Sequence, residues 1–355
     1  MGISYQYDLM GRPSVLQENV CNWDNYNQVC NYTETARVNA VTYGPANEMT
    51  AINYYGYSEG RTYNSLLQLT RQQVYLYPGY AFDMQYVYAA GANNGRITQS
   101  IDNVSGENVT YTYDALNRLI HAETAGPQWG ESYTFDGFGN LTSKTATKNN
   151  ATNWTQSYFV SSNQPVGYGY DGNGNPTGPA YDVENRMTAY STTSYWHYPS
   201  GKRVMQAYPD NYGGTYYWIY FYGADGRRLE EMRCDVTPGN PSPTTACNSG
   251  TGNVYFSGRM VAANGVPVVT DRLRSVRTGL GAGETSYLPY GEEEGSPTTA
   301  DGIEKFGTYF RDSTSLHQDY ADQRYYNPWW GRFNTPDPST GSGPSQLEQI
   351  RLRAR

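Results

Sequence analysis

Aromatic and polar residues alternate along this chain in short bursts, and each burst ends in an acid and a turn. Tyr111-x-Tyr113-Asp114-x-x-Asn117-Arg118-Leu119 returns as Tyr133-x-Phe135-Asp136-x-x-Gly139-Asn140-Leu141. In a strand, residues i and i+2 share a face, so each aromatic pair lies side by side on one surface. The acid ends the strand, where its carboxylate can accept backbone amides of the following turn. Asn117 or Gly139 supplies a residue that tolerates the left-handed conformation of a hairpin turn. Leu119 or Leu141 then restarts the alternation. Each unit is predicted to be the corner of a β-hairpin, with aromatics packing across strands.

Further copies follow the same pattern. Tyr5-x-Tyr7-Asp8-x-x-Gly11-Arg12 opens the chain. Tyr168-x-Tyr170-Asp171-x-x-Gly174-Asn175 and Tyr181-Asp182-x-x-Asn185-Arg186 come later. Tyr198-x-x-Gly201-Lys202 lacks the acid, and Tyr220-Phe221-Tyr222 with Gly226-Arg227 carries an extra residue. The acids are unevenly spaced, unlike a strict solenoid. Hairpins of unequal length, wound into one long curved sheet, fit that spacing. The predicted fold is all-β, with less than about a tenth helix against a usual third. Any short helix is expected near "TADGIEKF" or after Gly341.

Composition supports many short strands and tight turns: 37 Tyr against 9 Phe, with 38 Gly and 19 Pro among 355 residues. The net charge of −8 and the absence of a basic stripe before the last five residues argue against nucleic-acid binding by the body of the chain. No stretch of 18 apolar residues is present to span a membrane as a helix. Cys21 and Cys30 enclose one polar, turn-rich loop and Cys234 and Cys247 another. The spacing is wrong for zinc and there are only three histidines. Two local disulfides are expected, implying an extracytoplasmic setting; four unpaired thiols in loops are the alternative. The N-terminus, "MGISYQYDLMGRP", carries no export signal pattern and begins inside a repeat unit. The reading is a signal removed, or a C-terminal part of something longer.

The repeats resemble the YD-repeat, or RHS, family of bacterial RHS proteins, C subunits of insecticidal toxin complexes, and animal teneurins. Residues 253–338 resemble the RHS-associated core that follows such repeats. The family's D-x-x-G-S-x-R appears as Asp271, Ser275 and Arg277, with Arg274 in place of the usual glycine. "YLPYGEE" carries Tyr290 and Gly291, and "QRYYNPWWGRFNTPDP" carries Arg324, Tyr326, Gly331, Arg332, Asp337 and Pro338. The resemblance divides the chain into repeats (1–252), core (253–338) and a flexible, basic tail (339–355). It implies a hollow β shell plugged at one end by the core, with further repeats of a longer chain or a toxin cargo as partners. In such relatives the core is an aspartyl autoprotease, which needs two carboxyl groups astride the scissile peptide. Here the phrase after Asp337-Pro338 is "STGSGPSQLEQIRLRAR", with no second acid in the expected place. Asp337 is a remnant candidate, and the chain is read as non-catalytic.

Other motifs have plainer readings. "GNGNPTG" and "GLGAGE" are turns rather than phosphate loops. "DGNGNPTGPAYD" places Asp171, Asn173, Asn175 and Asp182 near calcium-loop spacing, but lacks the loop glycine and the final glutamate. His121, His197 and His317 are scattered. The adjacent tryptophans of "NPWWGRF" are expected in a strand, on opposite faces, one of them exposed. Exposed Trp and Tyr with few charges also suit a glycan or cell-surface contact. No cofactor and no metal are implied. A structural shell segment leads, with a carbohydrate-binding β module or an autoprocessing carrier remnant as alternatives.

Overall fold

The computed structural model describes residues 2–24, 26–149, 151, 153–210, 212–237, 244–250, 252–279, 285–295, 301–313 and 318–335. Among them there is no α-helix, and one 3-10 turn, Phe306–Thr308, lies at the end of "TADGIEKF". Thirteen strands, from Gly2–Tyr7 to Trp154–Thr155, form one antiparallel sheet in strict chain order. Seven more, from Ala180–Tyr181 to Thr244–Ser249, form a second in the same manner. Between them, residues 156–179 keep only isolated bridges, Tyr158 to Pro165 and Tyr170 to Pro176. Here two turn units follow one another too closely for full strands between them.

The repeated turn has one geometry. At Asp114, its own amide donates to the Arg118 carbonyl (3.0 Å) and the Asn117 amide donates back to the Asp114 carbonyl (2.9 Å). Asn117 sits at φ +68° and Gly139, its counterpart, at +87°. This is a type I turn closed by a left-handed residue, which leaves a bulge in the ladder. The aspartate pins it: Asp114 Oδ1 accepts the amides of Leu116 and Arg118 (2.9 and 2.8 Å), and Oδ2 accepts Arg118 Nε (2.6 Å). Asp8 with Arg12 and Asp182 with Arg186 repeat the arrangement. At Asp136 and Asp171 an asparagine amide replaces the guanidinium. The turn survives without the acid at Tyr198–Lys202. It also forms at Gly44–Glu48, where Glu48 reaches back to the Ala46 amide.

The two cysteine pairs are disulfides, but they sit in strands rather than clipping loops. Cys21 and Cys30 lie diagonally across the hairpin of Pro13–Asp24 and Val29–Tyr43, and Cys234 lies opposite Cys247. The first hairpin overhangs its neighbours. The strand Gly2–Tyr7 reaches only to Asn19, and Met49–Tyr54 pairs only from Val38 onward.

From Val254 the chain makes a second lap, against the inner face of the first. Val254, Phe256, Val261 and Ala262 pack on Leu16, Val38 and Ile52. Val269 packs on Val74, Phe82 and Met84, and Leu288 on Val109, Trp129 and Tyr133. Phe310, Tyr320 and Tyr325 then meet Met187, Tyr195 and Tyr220. The order along the core is the order along the wall. The ends of the wall approach each other at Tyr255: Tyr5 Oη donates to its carbonyl (2.7 Å), and Arg227 lies over its ring at 5.5 Å. The described core residues cover the inner face of both sheets, because each stretch supplies the apolar cover that stretch of wall needs.

Candidate functional site

Among the described residues five ion pairs cross between wall and core, one of them, Lys202 with Asp322 at 2.9 Å, at the surface; the other four are more enclosed. Glu59 meets Arg259 at 2.8 Å; Lys144 meets Glu292, Arg203 meets Asp312, and Arg228 meets Glu304. Most of these side chains are withdrawn from water, so each would be costly without its partner. Arg203 is the extreme case: its guanidinium is ringed by Tyr195, Tyr220, Phe310, Tyr320 and Tyr325, with centroids 4.3–5.9 Å away. Within the core, Glu293, Lys305, Arg311 and Asp319 form a further buried, charge-balanced group.

The core residues singled out from sequence are largely brought together. Lys144 is the hub: its Nζ also donates to the Pro328 carbonyl (3.1 Å) and sits 5.0 Å from the Tyr290 ring centre. Tyr326 Oη donates to the Tyr290 carbonyl (2.8 Å). A Cβ on Gly331 would lie 2.6 Å from the Tyr290 ring, and one on Gly291 2.6 Å from Phe306, so neither position has room for a side chain. Arg324 stacks on Phe333 at 3.9 Å and Arg332 on Tyr158 at 5.3 Å. Asp271 and Arg277 stand apart from this group, paired at 3.7 Å against the wall strand of Phe82. Asp271 is itself a repeat-type turn acid, accepting the Leu273 and Ser275 amides. Arg274 holds the left-handed position of that turn at φ +67°, a conformation that glycine takes without strain. Asp337, Pro338 and His317 lie outside the described residues.

Burial raises the carboxyls of this seam. Glu292 is pushed up by burial, offset by Lys144, and Asp271 by burial, offset by Arg277. Asp319 is pushed up to about 6 by burial against the pull of Arg311. Glu294 reaches about 7, through burial and the neighbouring Glu107 carboxylate. The turn acids go the other way: the Arg12 amide holds Asp8 low, and the Asn175 side chain holds Asp171 low.

A cavity of about 430 Å³ opens where the two sheets part. Phe138, Tyr170, Tyr290 and Trp330 supply rings, Asn140, Asn163, Asn173 and Asn334 supply amides, and Arg332 is its charged group. Its described lining holds no carboxylate. Both tryptophans are half-buried in a turn, not on opposite faces of a strand. Pro328 accepts the Gly331 amide (3.3 Å), Gly331 takes φ +62°, and Trp330 meets Tyr168 edge-on at 4.9 Å.

The remaining candidates have structural partners. The Asp171 carboxylate is occupied by Asn173 and Asn175, and no group of three or more metal-type ligands occurs among the described residues. His121 Nδ1 lies 3.1 Å from Ser132 Oγ, and burial lowers His197 to about 4. No helix among the described residues is long and apolar enough to cross a membrane. Sequence reasoning missed the role of the tyrosine hydroxyl just before several of the turns. Tyr43, Tyr63, Tyr88, Tyr113, Tyr158 and Tyr222 each donate to a backbone carbonyl of the preceding hairpin, at 2.6–3.0 Å. The excess of tyrosine over phenylalanine was the available signal.

Residues 93–128 match the RHS Repeat family. A curated protein of Bacillus spizizenii, the tRNA3(Ser)-specific nuclease WapA, is 27% identical over 265 residues, covering 67% of this chain and 11% of its own length. The solved structure of TcdB2-TccC3-Cdc42 superposes with a TM-score of 0.60 at 17% identity, over 99% of this chain and 22% of that one. That of TcdB2-TccC3 without hypervariable C-terminal region gives 0.62 at 15% identity, over 95% and 20%. The likeness to these structures is one of fold. The chain spans about a tenth of the curated relative and about a fifth of the solved chains.

Proposed function

We propose that this chain is a structural wall-and-core segment of an RHS-repeat shell, with no turnover of its own. The observation that carries the reading is the matched double lap. A wall of pinned hairpins is lined, stretch by stretch, by a core held through buried ion pairs. Such an arrangement fixes shape and register; its polar groups are engaged with each other. The repeat wall is assigned to residues 1–252, the core to 253–338 and a linker with a basic tail to 339–355. Further repeats of a longer chain, or a toxin cargo, are the partners this role implies. The two disulfides support an extracytoplasmic location, secreted or at a cell surface.

A second reading rests on the cavity beside Trp330. Its rings and amides suit stacking on, and hydrogen bonding to, a neutral glycan.

The test of the structural reading is intact mass over time. Purified wild type is expected to keep its full mass, and Asp337→Asn to leave that unchanged. A timed loss of the "RLRAR" end, abolished by Asp337→Asn, would replace it with an autoprocessing role.

A further inference from the structure

Where the enclosed seam between wall and core needs only a cation it uses arginine, as at Arg203, Arg228 and Arg259. Lys144 is the exception. A lysine can give up its proton and attack a carbonyl carbon, which an arginine cannot. Lys144 sits on the wall strand Leu141–Lys148, 2% exposed, with its Nζ on Glu292 Oε1. A second carboxyl lies on the same sheet face. Tyr133 is directly opposite Lys144 in the ladder, and Glu131, two residues before it, is 1% exposed. That diagonal is within reach of long side chains. One ammonium thus faces two enclosed carboxyls, so one of them lacks a counter-charge and favours its neutral acid. Burial raises both Glu131 and Glu292, against the pull of Lys144. Among the described residues no other residue bonds to Glu292 Oε2. The rings of Tyr133 and Tyr290, 5.2 Å apart and edge-on, close the site, and the Pro328 carbonyl accepts Lys144 Nζ at 3.1 Å.

From this cluster we propose that Lys144 and Glu292 join in a self-formed isopeptide bond between wall and core, with Glu131 as the proton acceptor. Glu131 takes one proton from the Lys144 ammonium, which frees the Nζ lone pair. Nζ attacks Cδ of Glu292 in its acid form. The Cδ–Nζ bond forms and the Cδ–O bond to the hydroxyl breaks. The hydroxyl leaves with a second nitrogen proton as water. The third proton stays on the amide nitrogen, where the Pro328 carbonyl already accepts it. Nothing is oxidised or reduced, and no co-reactant is consumed. A buried ammonium and carboxylate are replaced by a neutral amide and a neutral acid, which removes the desolvation cost of both charges. The Lys305–Glu293 pair differs, because Arg311 shares the same Glu293 oxygen and the acids there are matched by cations. The bond forms once per chain, so it adds no turnover to the shell reading and does not depend on it.

Mass spectrometry of the purified chain, with both disulfides reduced, tests it. Wild type is expected one water lighter than its 39.8 kDa sequence mass. Its tryptic digest is expected to contain one branched peptide holding Lys144 and Glu292, with no cut after Lys144. Lys144→Arg and Glu292→Ala are expected at full sequence mass. So is Glu131→Gln, which keeps both bonding residues, with the circular-dichroism spectrum of the wild type. A wild type at full sequence mass, cut after Lys144, overturns the proposal and leaves an ion pair. A branch at other residues, or one that forms as fully in Glu131→Gln, overturns it as well. The wild-type digest decides the matter even where a variant fails to fold. Loss of one water keeps every residue of the chain, whereas autoprocessing removes its end, so this proposal and the structural reading fail independently.

Discussion

The smallest unit of this fold is one turn, closed in five repeats by an aspartate, and in several units tied to the previous hairpin by the hydroxyl of the tyrosine before it; Tyr113 and Asp114 combine both. The aspartate was legible from sequence, because an acid followed three residues later by Gly or Asn is a turn with a known mechanism. The tyrosine was read only as a ring. Its hydroxyl bond depends on which carbonyl the neighbouring hairpin presents, and spacing within one repeat does not show that. Removing the hydroxyl alone separates the two contributions. Tyr113→Phe keeps the ring and loses the bond to the Ile97 carbonyl. Urea denaturation should show a loss of about 0.5–1.5 kcal/mol. Tyr77→Phe, at an exposed tip, should change stability by less than about 0.5 kcal/mol. Equal effects at both positions would mean that the hydroxyl ladder contributes nothing.

Hairpins were legible wherever one face is buried, since burial imposes the alternation that sequence reading detects. The overhanging hairpin defeated that logic. Of its residues between Asn22 and Ala36, those whose burial is described are exposed or half-exposed on both faces, so nothing apolar alternates. "CNWDNYNQVC" consequently read as a loop, although most of it is strand. The same exposure gives the Cys21–Cys30 bond a local task. Neighbouring strands pair with it only up to Asn19 and from Val38 onward, so the arm is expected to open independently of the sheet. With Cys21→Ser and Cys30→Ser together, amide exchange should quicken in residues 20–36 and stay unchanged in Met49–Tyr54. The melting temperature should hold. Lost protection in Met49–Tyr54 would show instead that the arm and sheet unfold as one unit.

At the scale of the molecule, the sequence carried the all-β class but not the placement of the core. Alternation says that a strand has an inner face; it does not say what covers that face. The pairings that decide it, such as Lys144 with Glu292, join residues far apart in the chain, and nothing local marks them. Burying those acids has a consequence that can be measured across the whole structure. A carboxyl whose folded pKa is raised binds its proton more tightly folded than unfolded. Its stabilisation is complete below the unfolded value and is lost as pH rises through the folded one. The turn aspartates, held low, act in the opposite sense and only at acid pH, while His197, lowered to about 4, has finished acting above its ordinary value near 6.5. Between about pH 6.5 and 8 Glu294, raised to about 7, loses its proton. It faces Glu107, whose Oε1 also accepts Trp129 Nε1 (2.9 Å), and it feels the Arg277 guanidinium. Above its pKa two carboxylates confront each other where core meets wall. The wild-type melting temperature should therefore fall as pH rises from 6.5 to 8. Glu294→Gln, which keeps a donor toward Glu107 and cannot ionise, should flatten that decline while matching the wild type near pH 6. A decline of the same steepness in Glu294→Gln would move the titration to another group on the seam.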